Sequence, residues 1–265
     1  SRPATYDHVI WIWFENKAPV VGSSAAPYLT SLAAQCGLAT DYHGIAHPSL
    51  PNYLAATGGS TAGVTDDGPP SAHPVAGPSL FSQVTDSGRQ WRSYQESMPG
   101  TCALTDSGRY AVKHNPAAYY PGVRTDCARW DVPLGAPTGG ALADALATGA
   151  LPAFAFVTPD MCNDMHDCSV ATGDAWLARW VPTILSSSAY AGGRTAVVVT
   201  FDEDDRTSGN RVSTVVVAPS VRSGTTSGTT FDHYSLLRTT EELLGLPPTL
   251  GKAATAASMR DAFGL

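Results

Sequence analysis

Thr195-Ala196-Val197-Val198-Val199-Thr200-Phe201 runs directly into Asp202-Glu203-Asp204-Asp205. A short β-branched run of this kind reads as a strand buried on both faces, and here carboxylates follow it without a turn. The pattern also stands near the start of the chain, where residues 8–14 (His8-Val9-Ile10-Trp11-Ile12-Trp13-Phe14) lead into Glu15-Asn16. It returns where a strand at 153–157 leads into Thr158-Pro159-Asp160. Further strands are predicted at 91–94 and 212–218. Helical spacing is found at 26–36, closed by Gly37, at 50–57, closed by Gly58 and Gly59, and at 78–85, 141–148, 174–186 and 234–244. Strands alternating with helices predict an α/β fold: a single domain over residues 1–265 with a mostly parallel, doubly wound sheet and helices on both faces. Residues from about 100 to 137, rich in Pro, Gly and Tyr, read as a long ordered excursion pinned by a disulfide.

Composition narrows the function. The chain has 265 residues, 43% hydrophobic and only 15% charged, with a net charge of −7 and no cluster of Lys or Arg. A nucleic-acid binder would carry a basic stripe, and attachment to an anionic membrane would need one too. The longest apolar runs are strand-sized, far short of the ~20 residues of a membrane span. Ser1-Arg2-Pro3-Ala4 reads as a mature N-terminus. Of five cysteines, Cys162 and Cys168 share a polar loop, and Cys102 and Cys127 share the loop-rich excursion. Pairing them so leaves Cys36 as a buried thiol and suits a secreted protein, expected to be a monomer.

In a parallel sheet, ligands sit beyond the carboxyl ends of the strands. Three predicted strands end in carboxylates, and Asp232-His233 stand before the last helix. Converging carboxylates repel one another, and Lys17 and Arg206 are the nearest basic residues, so a divalent cation is the economical counter-charge. Glu15, Asn16, Asp202 and Glu203 are oxygen donors suited to Ca²⁺ or Mg²⁺; an added histidine would tilt the choice toward Zn²⁺. A nucleophile candidate lies in His47-Pro48-Ser49-Leu50-Pro51-Asn52-Tyr53. Ser49 reads as the N-cap of a helix, where spare amides and the helix field favour both an alkoxide and a phosphate. The plain alternative is a serine that only caps. His114, His166 and His233 are candidates for metal binding, phosphate contact or proton transfer, whereas His8 and His73 read as surface histidines.

Taken in order, Glu15-Asn16, the His47-Pro-Ser49-Leu-Pro-Asn52-Tyr53 segment, Lys113-His114-Asn115-Pro116, the Asp160 to His166 loop, Asp202-Glu203 and His233-Tyr-Ser-Leu-Leu-Arg resemble the bacterial phosphoesterase family of phospholipases C and acid phosphatases, within the alkaline phosphatase superfamily. Length and motif wording are most similar to its compact secreted actinobacterial acid phosphatases, a group with members acting on phosphoinositides. The resemblance implies an alkaline phosphatase-like fold and hydrolysis of phosphomonoesters through a phosphoserine. By resemblance, Glu15, Asn16, Asp202 and Glu203 bind the metal, and Ser49 is the nucleophile that also touches it. Asn52 donates to a phosphoryl oxygen, and His114, His166 and His233 line the phosphate pocket with Asp160 beside it. Asp160, His166 and His233 form a possible second metal site. A small phosphate ester or phospholipid headgroup is the expected partner.

Three other readings stay open. A phosphodiesterase of phospholipase C or glycerophosphodiester type would use the same site. A metal-independent serine esterase would use Ser49, His233 and Asp232, but the chain has no G-x-S-x-G elbow. A non-catalytic Ca²⁺ binder would use only the acidic loops. The sulfatase pattern Cys/Ser-x-Pro-x-Arg fails at Tyr53, where arginine is required.

Overall fold

The run His8–Phe14 is a strand buried at all but its first position, as a continuous apolar sequence demands in a sheet covered on both faces. The computed structural model describes residues 2–265; Ser1, read above as the start of a mature N-terminus, lies outside them. In chain order the strands are β1 (His8–Phe14), β2 (Gly37–His43), β3 (Trp91–Gln95), β4 (Asp131–Pro133), β5 (Phe154–Thr158), β6 (Thr195–Phe201), β7 (Arg211–Val217), β8 (Thr225–Ser227) and β9 (Phe231–Asp232). The helices are α1 (Pro27–Gln35), α2 (Ser49–Gly58), α3 (Leu80–Asp86), α4 (Arg124–Trp130), α5 (Ala141–Thr148), α6 (Val170–Leu185), α7 (Ser188–Ala191), α8 (His233–Leu243) and α9 (Arg260–Phe263).

One mixed sheet has the order β4-β3-β5-β1-β6-β7-β2-β8, with β9 also beside β2. Every pairing is parallel except those of β7, which runs antiparallel to both β6 and β2. The strand predicted at 212–218 is therefore present but reversed. Its connection to β6 is too short for a crossover helix, which explains the turn-back. β2 escaped prediction because its burial is broken, with Thr40 exposed and Asp41 half-buried.

Alternation along β1 sends side chains to both helical layers. Trp13 packs on Tyr53 of α2 and His233 of α8, and the Trp11 indole donates to Thr240 of α8 at 3.0 Å. Phe14 meets Trp176 of α6 edge-on from the other face. On that side α1 packs against α6, and Asp174 of α6 accepts the Tyr28 and Leu29 amides at 2.9 and 2.8 Å. Those amides have no partner within α1, so Asp174 caps a neighbouring helix from inside its own. α6 itself begins before the predicted 174, because Ser169 caps it by accepting the Thr172 amide at 3.2 Å.

Disulfides join Cys102 to Cys127 and Cys162 to Cys168. Cys36 is free but half-buried, less enclosed than expected.

Candidate active site

Three neighbouring strands, β5, β1 and β6, end at one edge of the sheet, and β1 and β6 deliver Glu15, Asn16, Asp202 and Glu203 there. Ser49 arrives from α2. It is not the N-cap: Pro48 holds that position and Ser49 is the first helical residue. Its hydroxyl is thereby free of capping and turns to the carboxylates, with Oγ 2.9 Å from Glu15 Oε2 and 3.3 Å from Glu203 Oε1. A hydroxyl has one proton, so it donates to one of these oxygens at a time. Asn16 takes the left-handed backbone region at φ 50°, which asparagine tolerates better than most residues, and its amide donates to Asp202 Oδ1 at 3.0 Å. The Asn16 side-chain amide lies within 2.9 Å of Glu203 Oε1 and 3.2 Å of Glu15 Oε2 when its nitrogen is turned to donate to them. Turned over, its oxygen would join theirs around a cation.

Glu15 and Asp202 are fully buried and Glu203 nearly so. Burial would raise Glu15, but the charge and close approach of His114, with Asp202 and the Tyr53 hydroxyl close by, hold it at about 2. His114 gains what Glu15 gains: burial works against its charge, yet Glu15 and Asp164 lift it to about 9. Its Nε2 lies 3.1 Å from Glu15 Oε1 and its Nδ1 3.3 Å from Asp164 Oδ2, ion-pair contacts that fall short of aligned hydrogen bonds. The Tyr53 hydroxyl donates to Glu15 Oε1 as well. Burial and the Glu15 charge push Asp202 well above the usual carboxylate range and Glu203 to about 8. Asp202 Oδ2 is buried without any hydrogen-bond partner. An orphaned carboxylate oxygen among oxygen donors is the environment a hard cation satisfies. By the chemistry of their donors, Glu15, Asn16, Asp202, Glu203 and Ser49 could hold a divalent ion. Among the described residues, Cys102, Cys127 and Asp131 also bring three ligand atoms within 4.8 Å of one another, but they do not fit an ion, because the two sulfurs form a disulfide.

Above Ser49 opens a cleft of about 380 Å³, lined by Asn16, His47, Pro48, Ser49, Asp67, Lys113, His166, Glu203, Asp204, Asp205 and Arg206. His47 sits on its wall with Nδ1 against Glu203 Oε2 and Nε2 3.3 Å from Asp204 Oδ1. Burial and the Arg206 charge lower its affinity for a second proton. His166 lines the cleft too, with Nδ1 2.7 Å from Asp167 Oδ1.

Several expected site residues stand elsewhere. Asn52 is fully buried: its Oδ1 accepts the Ile45 and Ala46 amides at 2.7 and 3.0 Å, and its Nδ2 donates to the Ala46 and Pro48 carbonyls at 2.8 and 3.1 Å. It shapes the loop before Ser49, and none of its hydrogen-bonding groups is left for a phosphoryl oxygen. His233 is also fully buried, stacked on Trp13, with Nδ1 3.0 Å from the Tyr42 hydroxyl and Nε2 2.6 Å from the Asp202 carbonyl. It braces the backbone of Asp202 from behind. His114 lies beneath the carboxylates, not along the cleft. Asp160 accepts from Ser97 at 2.8 Å and from the Cys162 and Asn163 amides at 3.1 Å, fixing the loop that carries His166. Among the described residues no hydrogen bond or ion pair joins Asp160, His166 and His233, and they do not bring three ligand atoms within 4.8 Å of one another, so the second metal site expected from them is not assembled. Sequence reasoning gave no role to His47, Asp67, Lys113, Tyr53 or Asp164. His47, Tyr53, Lys113 and Asp164 stood inside quoted motifs, which was the available signal; Asp67 had none beyond its charge.

A sequence model described as the Phosphoesterase family matches residues 13–247. Among curated relatives, a phosphatidylinositol-3-phosphatase of Mycobacterium tuberculosis is 36% identical, covering 100% of this chain and 85% of that one. A phosphate-repressible acid phosphatase of Penicillium chrysogenum is 32% identical over 96% of this chain, which spans 62% of the fungal protein. Among solved structures, a protein in the alkaline phosphatase superfamily from Vibrio parahaemolyticus superimposes with a TM-score of 0.68 at 13% identity, covering 99% of this chain and 74% of that one. A 2-O glycosaminoglycan sulfatase gives 0.65 at 11% identity, covering 98% and 74%. At such identities the structural likeness speaks for the fold alone.

Proposed function

The chain belongs to the phosphoesterase family and is a phosphoric-ester hydrolase; from that premise we propose that it is a secreted, metal-dependent phosphatase in which Ser49 takes the phosphoryl group of a phosphomonoester. One observation carries this reading: a buried hydroxyl at the cleft floor within hydrogen-bond reach of Glu15 and Glu203, carboxylates from two different strand ends. A capping serine would have no reason to meet either.

A divalent ion held by Glu15, Asn16, Ser49, Asp202 and Glu203 would supply a Lewis acid that lowers the hydroxyl pKa and offsets phosphoryl charge. An all-oxygen set suits Mg²⁺ or Ca²⁺ better than Zn²⁺. In the proposed reaction Ser49 Oγ attacks phosphorus in line. The Oγ–P bond forms as the P–O bond to the leaving alcohol breaks, and the Oγ proton passes to Glu203 Oε1, 3.3 Å away. His114 keeps Glu15 ionised throughout. His166 is the proposed acid: with Nδ1 bonded to Asp167, its Nε2 is available to protonate the leaving oxygen. The same imidazole then takes a proton from the water that attacks phosphoserine; the Oγ–P bond breaks, phosphate leaves, and Oγ recovers its proton from Glu203.

Phosphatidylinositol 3-phosphate, the substrate in the mycobacterial relative's name, carries a phosphomonoester and falls in the proposed class. Among the described residues Leu104 is the one large apolar side chain left exposed. A lipid-borne monoester would therefore reach the cleft by its headgroup, without insertion of the protein into the bilayer. Two disulfides support an oxidising, extracellular setting.

Ser49→Ala tests the reading. Turnover of p-nitrophenyl phosphate should fall by about 10³-fold or more while the protein still binds its cation. Turnover near that of the parent protein would overturn it.

A further inference from the structure

A single 3-10 turn, Val112–His114, sends two cationic side chains in different directions. His114 goes down to the buried carboxylates, and Lys113 goes into the cleft. The Lys113 side chain is only 19% exposed, with Nζ 3.1 Å from Asp67 Oδ2. The other Asp67 oxygen accepts the Leu50 amide at 3.0 Å. Leu50 follows Ser49, so one carboxylate ties the ammonium to the first turn of the helix that carries the hydroxyl.

Lysine ordinarily keeps its ammonium in water, and an ion pair at a wet surface contributes little to stability. Drawing this one into a cleft costs desolvation and rotamer freedom. Burial opposes its charge, but Asp67, with Glu15 and Asp202, raises its pKa and keeps it protonated. Arg206, the other cation lining the cleft, is exposed at the rim. Lys113 is thus the fixed positive charge beside Ser49.

We propose that Lys113 determines substrate class, its ammonium leaving Asp67 Oδ2 to bind a terminal oxygen of the phosphoryl group and so favouring dianionic monoesters over monoanionic diesters. A diester puts an uncharged alkoxy group where a monoester has a second anionic oxygen, and a buried charge left unpaired is expensive. Asp67 is the positioning residue: it holds the ammonium until substrate arrives and stays anchored through Leu50. The inference rests on the phosphoesterase reading centred on Ser49.

The test compares kcat/KM for p-nitrophenyl phosphate and bis(p-nitrophenyl) phosphate, with the same divalent cation supplied throughout. In Lys113→Gln the monoester-to-diester ratio should fall by about 30-fold, the effect of one charge-assisted hydrogen bond. Lys113→Met, which keeps the buried stem, should fall similarly should the glutamine variant not fold, and Lys113→Arg should recover most of the ratio. Equal losses on both esters, or an arginine variant whose ratio is as low as that of the neutral ones, would overturn the inference. A parent protein that hydrolyses neither ester would instead sink the phosphoesterase reading.

Discussion

Ser49 Oγ stands 2.9 Å from Glu15 Oε2, joining the first residue of one helix to the last turn-out of the central strand β1. Everything else in the site acts on that pair. His114 and Tyr53 fix the far oxygen of Glu15, Asn52 and Asp67 shape the entry to α2, and His233 braces the strand end alongside. The consequences can be measured separately.

Asp202→Asn separates activity from stability. Asp202 is fully buried beside two other carboxylates, and one of its oxygens has no partner. An amide of the same shape removes charge repulsion and keeps the acceptor for the Asn16 amide. Without divalent cations the variant should melt at or above the parent temperature, while activity falls by about 10²-fold or more. Added Mg²⁺ or Ca²⁺ should raise the melting temperature of the parent and not of the variant. A variant stabilised by cation as strongly as the parent would remove Asp202 from the metal set.

His166 and His233 should fail in different ways. His233→Ala empties a space between Trp13, Tyr42 and the Asp202 carbonyl, and should cost about 2–4 kcal/mol of stability. Its residual activity should fall alike for good and poor leaving groups. His166→Ala should leave stability within about 0.5 kcal/mol. It should slow glycerol phosphate far more than p-nitrophenyl phosphate, because only a poor leaving group needs the acid. Denaturant unfolding and the two rate ratios decide it; the opposite pattern would return His233 to the cleft as the acid.

These two histidines show where reading a sequence stops. Strands 8–14 and 195–201 and helix 141–148 were legible to the residue, since unbroken β-branched runs and glycine stops leave little choice. The carboxylates were legible because they follow directly from those strands. The direction of each side chain was not. Asn52 lies one helical turn beyond Ser49, a spacing that suggests a shared face, yet the Ile45 and Ala46 amides needed a buried acceptor and took it. His233 opens α8 on the sheet side of the layer, a matter of packing against Trp13 that no local pattern records. Lys113 stood in a quoted motif, but its place in the cleft depends on pairing with Asp67, far away in sequence.

Away from the site, Asp131 should make stability depend on pH. It is fully buried on β4; Oδ2 accepts from Asn115 at 2.6 Å and Oδ1 has no partner. Burial pushes its pKa up to about 7. A folded-state value above the unfolded one, about 3.9, means the folded protein holds the extra proton. Its stabilising contribution is complete below about pH 4 and is lost as pH rises through about 7. Asp131→Asn should flatten that decline, gaining up to about 4 kcal/mol on the parent between pH 4 and pH 8. Denaturant unfolding at both pH values, disulfides intact, measures it; parallel pH dependence in the two proteins would contradict it.

The central claim is that phosphorus passes through Ser49. Acid quenching during steady turnover of p-nitrophenyl phosphate, followed by mass analysis of the peptide containing Ser49, tests it most directly. The expected result is one phosphoryl group on Ser49, absent in Ser49→Ala. Phosphate attached to a histidine, or steady turnover in a chain that never carries it, would contradict the account.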